Sequence, residues 1–415
     1  MVSERLYIHE LGNGMTLLGQ QMEHVASAAM ALVVPGGAAH DPPETPGAGS
    51  VACEWCLRGA GDRDTRQLND ALDALGCQHH ELVRSEHLLL TAAQLGRNLS
   101  DVLGIFADIL RRPRLGSETF APSRALIEQD LASLADEPGR KCMLLLRERF
   151  YPDPLGRCVY GTAEGLGALT PEGLRRHVGE HLTPPGTILA VAGSIDWPAV
   201  RDQVESLFAD WRGEPVPSRP STPPAGGVSH VAKDSAQVHI GLAHRAAPVG
   251  HEQYYAARVA ETVLSGGPAA RLHTEVREKR GLVYHVSSSY HSLKDHAGMF
   301  TYAGTRPQLA QQTFEVTIGE IRRLGEGVRD EEIVRARTQL RSALIMQGEA
   351  TASRASALAS DWYHLRRLRS LDEVSAAVES VTAADVVDYL QAFGPAELTV
   401  LVLGPEPVDT TGLGG

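Results

Sequence analysis

The chain has 415 residues, too long for one hydrophobic core, so two or three domains are expected. Hydrophobic residues at 43% and charged residues at 22% are ordinary for a globular protein, and a net charge of -12 without a long Lys/Arg run argues against nucleic acid or an anionic membrane as the main partner. No uncharged apolar window is long enough to span a bilayer, the N-terminus holds no apolar signal core, and the five scattered cysteines do not suggest a disulfide framework. The expectation is a cytoplasmic chain with buried free thiols.

Residues 6–36 read as a first strand pair. Leu11-Gly12-Asn13-Gly14 is a turn signal, followed by Met15 to Leu18 and Ala28 to Val34, with Pro35-Gly36-Gly37 as the stop. The stretch Gly47 to Gly61 follows. Its apolar run Val51, Ala52, Trp55, Cys56 and Leu57 lies between Pro46-Gly47 and Gly59, so a short buried helix is expected. Asp64-Thr65 can cap a second helix with Leu68, Leu72 and Leu75 on one side, closed by Gly76. Glu81 to Val83 and Leu88 to Thr91 read as paired strands. Leu99 to Leu110 is helical by period, and further helices are expected near 121–136, over 141–150 and from Pro171 to Leu182. Thr187 to Gly193 reads as a buried strand.

Glu214 to Gly227 holds five prolines and two glycines, a stiff exposed linker. Beyond it the same order of elements returns. A strand at Val238–Ala243 leads to a helix at Tyr254–Leu264, the Gly266-Gly267 break and a second helix reaching Arg280. Strands follow at Val283–Tyr290 and Met299–Gly304. Helices near 308–324, from Asp330 and from Asp372 precede the strand Thr399–Leu403. The expected organisation is a duplication: residues 1–213, a linker at 214–229, and residues 230–415. Each half mixes mainly antiparallel strands with flanking helices, an α+β fold of two homologous domains of about 200 residues.

On the short helix, Ser50 and Glu54 are one turn apart with Cys53 beside them. Two histidines at that spacing plus a glutamate would make a metallopeptidase site. This helix offers a serine, a cysteine and a glutamate.

The two-fold repeat, Leu11-Gly12-Asn13-Gly14-Met15, Pro35-Gly36-Gly37 and Gly281-Leu282-Val283-Tyr284 resemble the pitrilysin/insulinase family of inverted-motif zinc peptidases. The likeness is to its small two-domain branch, which includes the mitochondrial processing peptidases. The resemblance implies His-x-x-Glu-His on the first helix, where the histidines bind zinc and the glutamate activates water. Placed by Gly47 and Arg58-Gly59, that motif falls on Ser50 to Glu54, and both histidine positions and the base position are replaced. The downstream glutamate ligand falls near Asp130. The resemblance also implies that Arg277 and Tyr284 are the second-domain pair that hydrogen-bonds a substrate carbonyl and stabilises its oxyanion. The plainer alternative makes them a surface arginine and a core tyrosine.

Two other patterns compete with that assignment. His177-Val178-Gly179-Glu180-His181 matches the zinc-peptidase letters, but the resemblance places it on a peripheral helix, and two surface histidines are the expectation. His79-His80-Glu81 and Glu86-His87 fit no zinc signature; the resemblance implies an edge strand that can pair with substrate backbone, and a solvated strand face is the expectation. Cys53-x-x-Cys56 has no second cysteine pair and reads as packing.

Taken together, the sequence predicts the zinc-less partner subunit of a heterodimeric metallopeptidase acting on peptides. Zinc is expected in the partner and none in this chain. The alternatives are a homodimeric peptide-binding or assembly protein, and an enzyme with an atypical metal site at Ser50/Cys53/Glu54/Asp130 or His177/His181.

Overall fold

The computed structural model describes residues 4–411; the ends of the two sequence domains, 1–3 and 412–415, lie outside that range. The first half runs β1 (Arg5–Glu10), β2 (Thr16–Gln21), β3 (Ser27–Pro35), α1 (Ala48–Cys56), the short pair β4 (Gly59–Ala60) and β5 (Arg63–Asp64), and α2 (Thr65–Ala74). It continues through β6 (Gln78–Val83), β7 (His87–Leu95), α3 (Leu99–Arg111), α4 (Ser117–Ser133), α5 (Pro138–Phe150), α6 (Ala163–Ala168), α7 (Pro171–His181), β8 (Ile188–Gly193) and α8 (Trp197–Phe208). After the proline-rich stretch come β9 (Val228–Ala232), β10 (Val238–Arg245), α9 (Tyr254–Ser265), β11 (Val283–Ser292), β12 (Ala297–Thr305), α10 (Ala310–Glu326), α11 (Asp330–Glu349), α12 (Thr351–Leu365), α13 (Leu371–Ser380), α14 (Ala383–Phe393) and β13 (Thr399–Gly404).

The duplication is visible in the sheets. One has the order β1-β2-β8-β3-β7-β6, with β2 and β8 parallel and the remaining pairs antiparallel. The other has the order β9-β13-β10-β12-β11, with β9 and β13 parallel and the rest antiparallel. Apart from the added edge strand β1, the two orders are the same. Two α+β units built on one plan are what the sequence leads one to expect.

Each sheet is buried on both faces, which explains why β3, β8, β10 and β13 read as continuous apolar runs. In the first sheet Ala28, Met30, Leu32 and Val34 face the core shared with α1 and α3. The alternate residues Ala29, Ala31, Ala190 and Ala192 meet Ala355, Leu358, Ala359 and Trp362 of α12. Small side chains on that face let the helix lie close. In the second sheet α5 plays the same part, with Cys142 and Leu146 against Ala243, Phe300, Leu401 and Leu403. A Cβ on Gly241 would come within 3.1 Å of Leu146, so glycine makes room for α5 there.

The covering helices are therefore exchanged along the chain. One compact unit takes the chain up to Ala132, then Arg157–Ser221 and Gln347–Ser370, while the other takes Ser133–Gly156, Thr222–Met346 and the chain from Leu371. Compactness thus groups residues differently from contiguous halves. The long helix expected from Asp330 breaks at Ala350, whose backbone is extended, and the chain then enters α12. Neither a proline nor a glycine occupies the break itself. The strand β9 was not anticipated, because its half-exposed residues at the edge of the sheet lack a buried pattern.

Candidate functional site

Helix α1 starts on Gly47, whose φ of 100° is the left-handed region that favours glycine. A Cβ there would also lie 2.7 Å from Leu166. The free amides at this helix start are met by buried Asp41, whose two carboxylate oxygens accept from Gly47 N at 2.7 Å and Gly49 N at 2.8 Å. Arg157 donates to the Asp41 carbonyl. Burial raises the Asp41 carboxyl to about 7, against the opposing pull of the two amides.

The polar groups at the expected motif positions are each buried or paired within the chain. Ser50 donates its hydroxyl to the carbonyl of Val159 at 2.6 Å. The Cys53 thiol is pushed far up by burial first, then by the neighbouring Cys56, Glu81 and Glu54. Glu54 is ion-paired with Arg58 one turn on. Across from the helix, on the half-buried face of edge strand β6, His79 Nδ1 lies 2.7 Å from Glu81 Oε1. The solvated face of β6 carries His80 and not the pair, so only part of that strand matches a solvated reading. Asp130 is half-buried on α4.

Zinc needs several lone pairs converging from deprotonated or neutral ligands. A hydroxyl spent on a carbonyl, a thiol held protonated and a carboxylate tied to arginine do not fit that ion. Among the described residues, no group of three or more His, Cys, Asp or Glu side chains is placed to hold a metal. This counts against the atypical site at Ser50/Cys53/Glu54/Asp130 and equally against one at His177/His181.

The expectation of two surface histidines at 177 and 181 is overturned. Both are buried, at 4% and 7% exposure, because α7 packs directly on α1. Their rings lie 4.2 Å apart, His181 Nδ1 bonds the His177 carbonyl, and His177 Nε2 lies 3.9 Å from Asp41 Oδ1. His40 stacks edge-on to His181, and Arg219 donates to the His40 carbonyl at 2.5 Å. Burial, with the neighbouring His181 and Arg219, lowers His40 to about 4 and His177 to about 3. The two histidines thus serve as a neutral buried wedge under the start of α1, while Gly179 and Glu180 between them are exposed. Asp41, which holds that start, went unread because its role depends on a contact six to eight residues along the chain.

The second-half pair lies on two local irregularities. Arg277 is on the wide turn His273–Glu278, a π-helix marked by the bond from Lys279 N to the carbonyl of Thr274. Within this charged run Lys279 and Arg280 are tied to Glu275, at 2.6 and 2.7 Å. Arg277 is exposed and reaches His273 Nε2 only at 3.5 Å. Tyr284 is the extra residue of a β-bulge: Val283 pairs with Thr305 and His285 with Gly304. It is 60% exposed, so the core-tyrosine alternative does not describe it. Its phenol oxygen accepts from Arg306 Nη2 at 2.9 Å, a neighbour 22 residues away that no sequence pattern marked. A cavity of about 740 Å³ opens elsewhere in this unit, lined by Phe150, Phe393 and Pro395 among others, and includes neither Arg277 nor Tyr284.

Exposed Arg277 and Tyr284 on the second unit and the buried or paired groups of α1 on the first make the two repeats dissimilar. Family models place the chain. The model for "Insulinase (Peptidase family M16)" matches residues 17–163 and that for "Peptidase M16 inactive domain" matches residues 168–340. The chain belongs to the M16 peptidase family. It is 27% identical over 412 residues to a Rickettsia felis protein named "Uncharacterized zinc protease", covering 97% of this chain and 98% of that one. A Bacillus subtilis protein, "Uncharacterized zinc protease YmxG", is 26% identical over 87% of this chain and 89% of its own. Among solved structures, a peptidase M16 inactive domain from Pseudomonas fluorescens superposes with a TM-score of 0.90 at 17% identity, covering 98% of this chain and all of that one. A protease from Helicobacter pylori gives 0.89 at 15% identity, covering 97% and 100%. These two establish the shared fold.

Proposed function

We propose that this chain is the zinc-less, non-catalytic subunit of a heterodimeric metallopeptidase that cleaves peptides or unfolded segments, with Arg277 and Tyr284 contributed to the partner's active site. The observation that carries the reading is the contrast between the two places. Ser50, Cys53 and Glu54 are spent on contacts within the chain, whereas Tyr284 stands out on a bulge and Arg277 is the loosely held arginine of its run. Names of full-length relatives as zinc proteases support a peptidase setting. A homologous chain would bring the metal. Guanidinium and phenol would donate to the substrate carbonyl oxygen as negative charge develops there, orienting the peptide and stabilising that charge.

Zinc per chain, measured by elemental mass spectrometry after purification in metal-free buffer, should be near zero, and a homologue carrying His-x-x-Glu-His should co-purify. In the assembled pair, Arg277→Ala or Tyr284→Phe should lower kcat/KM on the order of 100-fold. One zinc per chain, or unchanged kcat/KM in either variant, would refute the assignment.

A further inference from the structure

We propose that Arg306 is a positioning residue for Tyr284, orienting its phenol proton toward a bound peptide; the inference rests on the functional reading of Tyr284 given above. A phenol has one proton to give and lone pairs to receive, while a guanidinium only donates. Arg306 Nη2 donates to the Tyr284 oxygen at 2.9 Å, so the interaction consumes acceptor capacity and leaves the proton for another acceptor. The same guanidinium lies 5.8 Å from the centre of the tyrosine ring, which restricts the swing of the side chain as well as its torsion. A charged donor on the oxygen also draws electron density from the O–H bond and makes it a better donor to a developing oxyanion.

Both partners are set by backbone that has little freedom. Arg306 follows Thr305, which is fully buried, pairs with Val238 and Val283, donates its hydroxyl to the Leu282 carbonyl at 2.6 Å and accepts from Thr313. On its other side the Arg306 carbonyl accepts from Leu309 N, closing the turn at Pro307–Leu309 that leads into α10. Opposite it, the bulge leaves Tyr284 outside the ladder pairing and re-aims its side chain. A one-residue insertion in one strand and an arginine just past the end of its neighbour thus meet across the edge of the sheet.

Two measurements test this. In chain labelled with 13C at tyrosine Cζ, the resonance lost in Tyr284→Phe should move in Arg306→Ala and move less in Arg306→Lys; an unmoved resonance overturns the contact. In the assembled peptidase, Arg306→Ala should lower kcat about 3- to 10-fold with KM nearly unchanged, the span expected for losing one hydrogen bond. Arg306→Lys should recover part of that loss. The double variant Tyr284→Phe/Arg306→Ala should be no slower than Tyr284→Phe alone, since the arginine acts through the phenol. If Tyr284→Phe costs activity but Arg306→Ala does not, or if their effects multiply, the positioning role is wrong while the site stands. If Tyr284→Phe costs nothing, the reading of the site falls and the inference with it.

Discussion

Helix α1 and the Arg277/Tyr284 region belong to two units whose strand order matches apart from the added strand β1, yet they place their polar side chains differently. Around α1, Asp41, Ser50, Cys53, Glu54, His177 and His181 are each buried or paired within the chain. Around Tyr284 the side chains of Arg277 and Tyr284 are exposed, with the phenol held by the exposed Arg306, and the backbone departs from regular geometry twice, in a π-turn and a bulge. Groups already satisfied internally add stability and offer nothing to a ligand. Groups left outward are solvated by water and keep donors and acceptors that another molecule can meet. The first unit ties these side chains into its interior, and the second leaves Arg277 and Tyr284 at its surface.

That comparison breaks first at Asp41 if it is mistaken. Asp41→Ala removes the acceptor of two buried helix-start amides and should destabilise the chain by about 2–4 kcal/mol in urea unfolding. Tyr284→Phe, by contrast, should change stability by no more than about 0.5 kcal/mol, since the ring is exposed. Equal losses would mean that the two regions are not different in kind.

The next effect is set by pH. His40 and His177 titrate in the folded chain at about 4 and about 3, below the ordinary 6.5, so between pH 6.5 and 4 the unfolded chain binds more protons and stability falls as pH falls. Asp41, raised from 3.8 to about 7, acts with the opposite sign over the same interval: its contribution is present at low pH and is lost as pH rises through 7. The histidines together outweigh it. Replacing both with glutamine should therefore reverse the acid loss, by on the order of 5 kcal/mol at pH 4.5 relative to the parent after matching at pH 7.5. Denaturant midpoints across that range measure it. An unchanged difference between the two pH values would remove the histidines from the account.

The smallest effect sharpens the contrast. Glu54→Gln breaks an ion pair with Arg58 whose partners are partly solvated, and should cost within about 1 kcal/mol. Its zinc content should equal the parent's. A drop in bound metal on this substitution would show that Glu54 is a ligand after all.

The strand pairs, the α1 and α2 helices, the Asp64 cap and the repeat were legible because period, turn residues and caps act within a few residues. Buried strands stood out because both faces are covered, so alternation gives way to an apolar run. Helices α6 and α8 and the edge strand β9 were passed over. α8 does bury Val200, Val204 and Phe208 at helical spacing, while β9 has no buried face to betray it.

By itself, then, the sequence determined the duplicated α+β plan and the residue types at the two site positions, since these follow from local pattern and identity. Tertiary structure decided the rest. It sent α5 and α12 to cover sheets remote in sequence, buried the His177/His181 pair under α1, and brought Arg306 to Tyr284 across a bulge. Each of these depends on contacts whose free energy comes from surfaces distant along the chain, and no local period encodes which surface will be there to meet them.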